Sequence, residues 1–138
     1  MSYKNILLAL CGRGDENNVI CKAMELKNQL EANMTVVHVN DPRAGEMSMM
    51  MDAPKKITVD AIKERISLCG FKEDAENIHI QIIESKSIAQ AITQLTRDVD
   101  LLILGHRRMS TFKEHFLDSV DEGIVNHAHC PVMVVPKD

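Results

Sequence analysis

Apolar residues in this chain alternate between two rhythms. Short, almost unbroken apolar runs stand between longer stretches in which apolar positions return every three or four residues. Asn5-Ile6-Leu7-Leu8-Ala9-Leu10 is the first run, and such continuity predicts a strand covered on both faces. From Asp15 to about Leu30, Val19, Ala23, Leu26 and Leu30 keep helical spacing, with Asp15 placed to cap the helix. Met34 to Val39 is a second, β-branched run, stopped by Asn40-Asp41-Pro42. Residues 43 to 53 keep no period. Pro54 then opens a helical pattern whose apolar face is Ile57, Ala61, Ile62, Ile66 and Leu68, ending at Gly70.

In the second half, Ile78, Ile80 and Ile82 alternate with His79 and Gln81, which predicts a half-exposed strand near a sheet edge. Ser87 reads as the cap of a helix carrying Ile88, Ala91, Ile92 and Leu95. Leu101 to Leu104 is a fourth strand ending at Gly105, a helix is expected over roughly 116 to 127, and Pro131 to Pro136 closes the chain as a fifth strand. Strand and helix in regular alternation imply a parallel sheet with helices on both faces. With right-handed crossovers this is an α/β, Rossmann-like doubly wound domain, a single one over residues 1–138. In such sheets ligands sit beyond the carboxyl ends of the strands, where strand order reverses. Cys11-Gly12 and Gly105-His106 are the corresponding ends of strands one and four.

Composition narrows the function classes. A formal charge of -4, no tryptophan and one tyrosine argue against nucleic-acid and anionic-membrane partners, which call for basic surplus or stacking platforms. No apolar run approaches the roughly 20 residues of a bilayer span, and the first apolar run lacks the features of a secretory signal, so a cytoplasmic location is expected. Cys11, Cys21, Cys69 and Cys130 are scattered without metal spacing, and reduced thiols are the expectation. No nucleophile elbow, Walker lysine or zinc signature occurs, so neither catalytic nor metal-ligating residues are assigned. His38 and His106 fall at strand ends, where structural roles outweigh acid–base or metal chemistry; His127 and His129 read as helix-end groups.

Several stretches resemble the universal stress proteins. These are YKNILLAL at the start, VVHV ending strand two, DVDLLILGHRR, and DSVDEGIVNHAHCPVMVVP at the end. The resemblance spans nearly the whole chain and implies sheet order 3-2-1-4-5 and a homodimer. It also implies a choice between two branches. One binds ATP through a loop of glycine, two residues, glycine, nine residues, glycine, then serine or threonine. The other, typified by universal stress protein A, lacks that loop. Carried onto this chain, the loop positions are Gly105, Arg108, Asp118 and Ser119; the nucleoside-binding aspartate is replaced by Cys11, and the adenine-reading backbone falls at Val39.

Two of the three glycines are therefore lost. A side chain at Arg108 fills space that a phosphate cradle keeps bare. A carboxylate at Asp118 beside a phosphate costs on the order of 4 kcal/mol at about 4 Å and an effective dielectric near 20. The expectation is the branch that does not bind ATP, with no cofactor. An adenine-nucleotide switch or slow ATP hydrolase over Gly105–Ser119, taking ATP or AMP through Gly105, Arg108, Ser119 and Val39, is the alternative. Arg107, Arg108 and Lys113 would then replace the glycine cradle with side-chain cations for a smaller anion or a differently placed nucleotide. An edge strand of valines invites antiparallel pairing with a second copy, so Val132, Met133, Val134 and Val135 are the expected homodimer interface. The Met47–Met51 cluster is a candidate surface for an unidentified protein partner or a mobile loop.

Overall fold

The computed structural model describes residues 3–11, 14–42, 56–106 and 119–138. In chain order the elements are β1 (Asn5–Ala9), α1 (Asn17–Leu30), β2 (Asn33–Asn40), α2 (Val59–Leu68), α3 (Lys72–Asn77), β3 (His79–Glu84), α4 (Ile88–Leu95), β4 (Leu101–His106), α5 (Ser119–His127) and β5 (Val132–Pro136). The strands form one sheet in the order β3-β2-β1-β4-β5, every pair parallel. Fold class and strand order are as expected.

Strand periodicity sorts the core into two layers. Ile6, Leu8 and Leu10 of the first run, with Val36 and Ile103, point to one face and pack under α1 and α2 through Val19, Ile20, Ala23, Met24, Ile62 and Ile66. Leu7 and Ala9, with Val37, Val39, Leu102 and Leu104, point to the other and meet Ile92 of α4 and Ile124 of α5. Covering on both faces is why β1 and β4 read as continuous apolar runs. The third strand lies at the sheet edge and is only partly covered, as its alternation predicted.

Local signals held where a side chain could act alone. Ser87 caps α4 as expected, by accepting from the Gln90 N–H at 3.3 Å. The helix expected to open at Pro54 begins only at Val59, where Thr58, not foreseen as a cap, accepts from the Ala61 N–H at 3.2 Å. Three further expectations need correction. Asp15 does not cap α1; the helix starts at Asn17, and its Asn18 N–H is taken by the Asp138 carboxylate at 2.9 Å. Leu68 is not part of the buried face of α2 but is 79% exposed, because it is the helix's final residue, before the turn at Gly70, whose φ is +94°. The short α3 was not foreseen; six residues with one buried side chain, Ala75, carry no readable period.

β1 and β4 are laced at their amino ends. The Asp100 carboxylate accepts from the Lys4 and Asn5 N–H groups, each at 2.9 Å, so both central strands begin at a fixed level. That lacing also fixes their opposite, carboxyl ends, where Cys11 and His106 emerge.

Candidate functional site

The crevice where strand order reverses lies between the carboxyl ends of β1 and β4, and four segments converge there. Cys11 follows β1, Asp15 and Glu16 lead into α1, His106 ends β4, and Lys137-Asp138 leave β5. Glu16 is the unexpected member. It is 1% exposed, and one of its carboxylate oxygens accepts from the Cys11 N–H at 2.9 Å. A buried carboxylate so placed satisfies a backbone donor that a parallel strand leaves open at its end.

The end of the chain folds back across the crevice. The Lys137 N–H donates to the His106 carbonyl at 2.9 Å, and the Asp138 N–H donates to the Asp15 carbonyl at 2.9 Å. The Asn18 side-chain amide donates to the Pro136 carbonyl at 2.8 Å. Lys137 then lays its methylenes along Gly105 and brings Nζ to 3.6 Å from the Cys11 sulfur. A Cβ on Gly105 would stand 2.8 Å from Val19 Cγ2, 3.0 Å from Lys137 Cε and 3.1 Å from Lys137 Cγ. The bare backbone that the loop pattern of the ATP-binding branch reserves for a phosphate is thus covered by this chain's own side chains.

Cys11, His106 and Asp121 supply the residue types of a thiol-based catalytic group. His106 Nδ1 lies 3.6 Å from the Asp121 carboxylate, longer than a hydrogen bond, and has no hydrogen-bond partner. The thiol is tuned the wrong way for a nucleophile. Crowding by protein atoms raises Cys11 above the ordinary 9.0, the Glu16 carboxylate raises it further, and Lys137 offsets only part. Activated cysteines need a depressed pKa. Asp15 also holds one buried carboxylate oxygen without a hydrogen-bond partner. The crevice is lined chiefly by carboxylates, with Lys137 as its fixed cation among the described residues.

His38 is structural. Nδ1 sits 2.8 Å from the Leu10 carbonyl and Nε2 2.9 Å from Asn40 Oδ1. Asn40 in turn accepts from the Ile57 N–H at 3.2 Å and donates to its carbonyl at 3.0 Å, tying β2 to the approach to α2. Val39 lies in β2 opposite Ile83 with its side chain buried, so a ligand there would meet only its backbone. Among the described residues no group of three or more His, Cys, Asp or Glu is arranged to hold a metal ion.

Of the positions singled out in the sequence, the structure gathers Cys11 and Gly105 at the crevice and puts Ser119 at the first turn of α5. Arg107, Arg108, Lys113, Asp118 and Met47–Met51 lie outside the described residues. Sequence reasoning missed Glu16, Lys137 and Asp138. The signal for Glu16 was an acidic residue directly after Gly14-Asp15 at a strand end; for Lys137-Asp138 there was none, since a tail's direction is not written in its residues.

A family model, described as the universal stress protein family, matches residues 2–136. A Staphylococcus epidermidis protein that bears the universal stress protein name is 32% identical over 142 residues, covering 98% of this chain and 85% of that one. Among solved structures, a universal stress protein in complex with cAMP has a TM-score of 0.72 at 16% identity, with complete coverage of both chains. The Archaeoglobus fulgidus universal stress protein in complex with dAMP has a TM-score of 0.59 at 17% identity, covering 98% of this chain and 99% of that one. With a parallel 3-2-1-4-5 sheet and a family match along nearly its whole length, this chain belongs to the universal stress protein family.

Proposed function

We propose that this chain is a non-catalytic universal stress protein of the branch typified by universal stress protein A, whose crevice does not take up ATP. The observation that carries this reading is the filling of the space over Gly105 by Val19 and Lys137. A phosphate approaching that backbone would have to displace Lys137 and would then meet the carboxylates of Asp15, Glu16 and Asp121. Each close like-charge contact costs on the order of 4 kcal/mol at an effective dielectric near 20, so a single ammonium does not compensate a triphosphate. The substitutions at Arg108 and Asp118 in the loop pattern act in the same direction.

The protein acts as a homodimer in the cytoplasm on this reading. β5 is an outer strand of the sheet, and Met133 and Val134 expose 39% and 38% of their surface along it. A cavity of about 380 Å³ runs between this strand and α1, lined by Leu26, Met133, Val134 and Val135 among others. Pairing with a second copy would remove both the open edge and this apolar surface. No helix among the described residues is long and apolar enough to cross a membrane.

A second reading, an adenine-nucleotide switch or slow hydrolase over Gly105–Ser119, is favoured by the fold relatives solved with cAMP and dAMP. Isothermal titration with ATP, ADP and AMP, with and without magnesium, separates the two. The first reading expects no saturable heat below millimolar ligand. Binding at micromolar affinity or tighter overturns it, as does a nucleotide found by mass spectrometry on the natively purified protein.

A further inference from the structure

Cys21 and Cys69 are far apart in sequence but meet where α1 and α2 pack on the same sheet face. Cys21 stands one turn after Asn17, on the same side of α1. Cys69 is the residue just after α2, with its sulfur 3.6 Å from Asn17 Oδ1 and close enough to Cys21 for each thiol to feel the other's charge. Both are half-buried free thiols, reachable by a small oxidant without unfolding. Cys130 packs against the core on the opposite face, so the sheet separates it from the pair.

We propose that Cys21 and Cys69 form a reversible intramolecular disulfide when the protein meets a peroxide, locking α1 to the end of α2. One thiolate attacks a peroxide oxygen and the O–O bond breaks, leaving a sulfenic acid and a hydroxide that takes up a proton. The second thiolate attacks the sulfenic sulfur, the S–O bond breaks, and a second water leaves. Two thiols and one hydrogen peroxide thus give one disulfide and two waters; sulfur loses the two electrons that oxygen gains. The turn at Gly70, just beyond Cys69, leaves that end of α2 room to adjust so that the neighbouring thiols can close to bonding distance.

The chemistry is slow at neutral pH. Burial, then the adjoining Cys21, pushes the Cys69 thiol up to about 11, so the Cys69 thiolate is scarce at neutral pH and becomes more plentiful as pH rises.

The full chain is reduced, freed of reductant, exposed to hydrogen peroxide at pH 8, alkylated, and mapped as peptides without reduction. The expected result is a Cys21–Cys69 linked peptide pair, loss of two of the four thiols, and full reversal by dithiothreitol. Disulfide yield at a fixed time rises several-fold from pH 7 to pH 8. Cys21→Ser and Cys69→Ser each abolish the link, whereas Cys130→Ser keeps it; the wild-type map stands on its own if a variant folds poorly. Sulfinic acids on Cys21 and Cys69 without a link, or a dominant link through Cys11, Cys130 or a second chain, overturns the proposal.

Discussion

Replacing Gly105 by alanine tests whether this glycine serves packing or a ligand. The added methyl would lie 2.8 Å from Val19 Cγ2, a distance Cβ atoms essentially never show, and 3.0–3.1 Å from two Lys137 carbons. Lys137 is a flexible side chain that can swing aside. Val19 cannot, because it is fully buried on α1 within the core cluster. Overpacking a well-filled core costs about 1–3 kcal/mol, so Gly105→Ala should lose that much stability in urea or guanidinium unfolding. In a chain of this size the melting temperature should fall by roughly 3–10 °C. The cycle with Val19→Ala is decisive. Truncating Val19 leaves a small cavity at its own cost, yet makes room for the new methyl, so the double variant should be about 1 kcal/mol more stable than additivity predicts. The same cycle with Lys137→Ala should show a smaller coupling. A Gly105→Ala loss within about 0.5 kcal/mol of zero, or strict additivity with Val19→Ala, would refute the packing account and return Gly105 to a ligand role.

Three further outcomes are expected. If the chain pairs through β5 as proposed, the wild type should weigh as a dimer in light scattering and Val134→Lys as a monomer, since it sets charges on the exposed edge of β5; an unchanged dimer would sink the β5 interface. Asp100→Ala removes the acceptor shared by the Lys4 and Asn5 N–H groups and should cost about 1–3 kcal/mol of unfolding free energy; a neutral result would mean that water replaces both bonds. The Cys69 thiol stands at about 11 in the fold against an ordinary 9.0, so the folded state holds its proton more tightly than the unfolded one. Its contribution is whole below pH 9 and is lost as pH climbs toward 11, so the reduced wild type should lose stability across that window more steeply than Cys69→Ser; parallel curves would contradict the shift.

The elements of this chain were legible because burial writes periodicity into sequence. A strand covered on both faces shows an unbroken apolar run, as β1 and β4 do, while a partly covered one shows alternation, as β3 does. The Ser87 cap could be read locally, because donor and acceptor lie three residues apart; the Thr58 cap has the same spacing but was hidden by Pro54, which reads as the helix start. Asp15 failed as a cap for the converse reason: the carboxylate that won the α1 amino terminus comes from Asp138, 120 positions from Asn18, and no local pattern encodes that competition.

The sequence by itself determined the doubly wound architecture, the family, and the placing of Cys11 and Gly105 at the reversal of strand order. Each follows from short-range pattern or from residue identity at matched positions. Only the tertiary structure decided what surrounds them. Glu16 turns inward to hold the Cys11 backbone, the tail crosses the crevice to lay Lys137 on Gly105, and Cys69, just after α2, comes to rest beside Asn17 of α1. These are products of chain closure. They depend on where distant segments end in space, and a glycine that reads as an invitation to phosphate is found tightly packed beneath Val19 and Lys137.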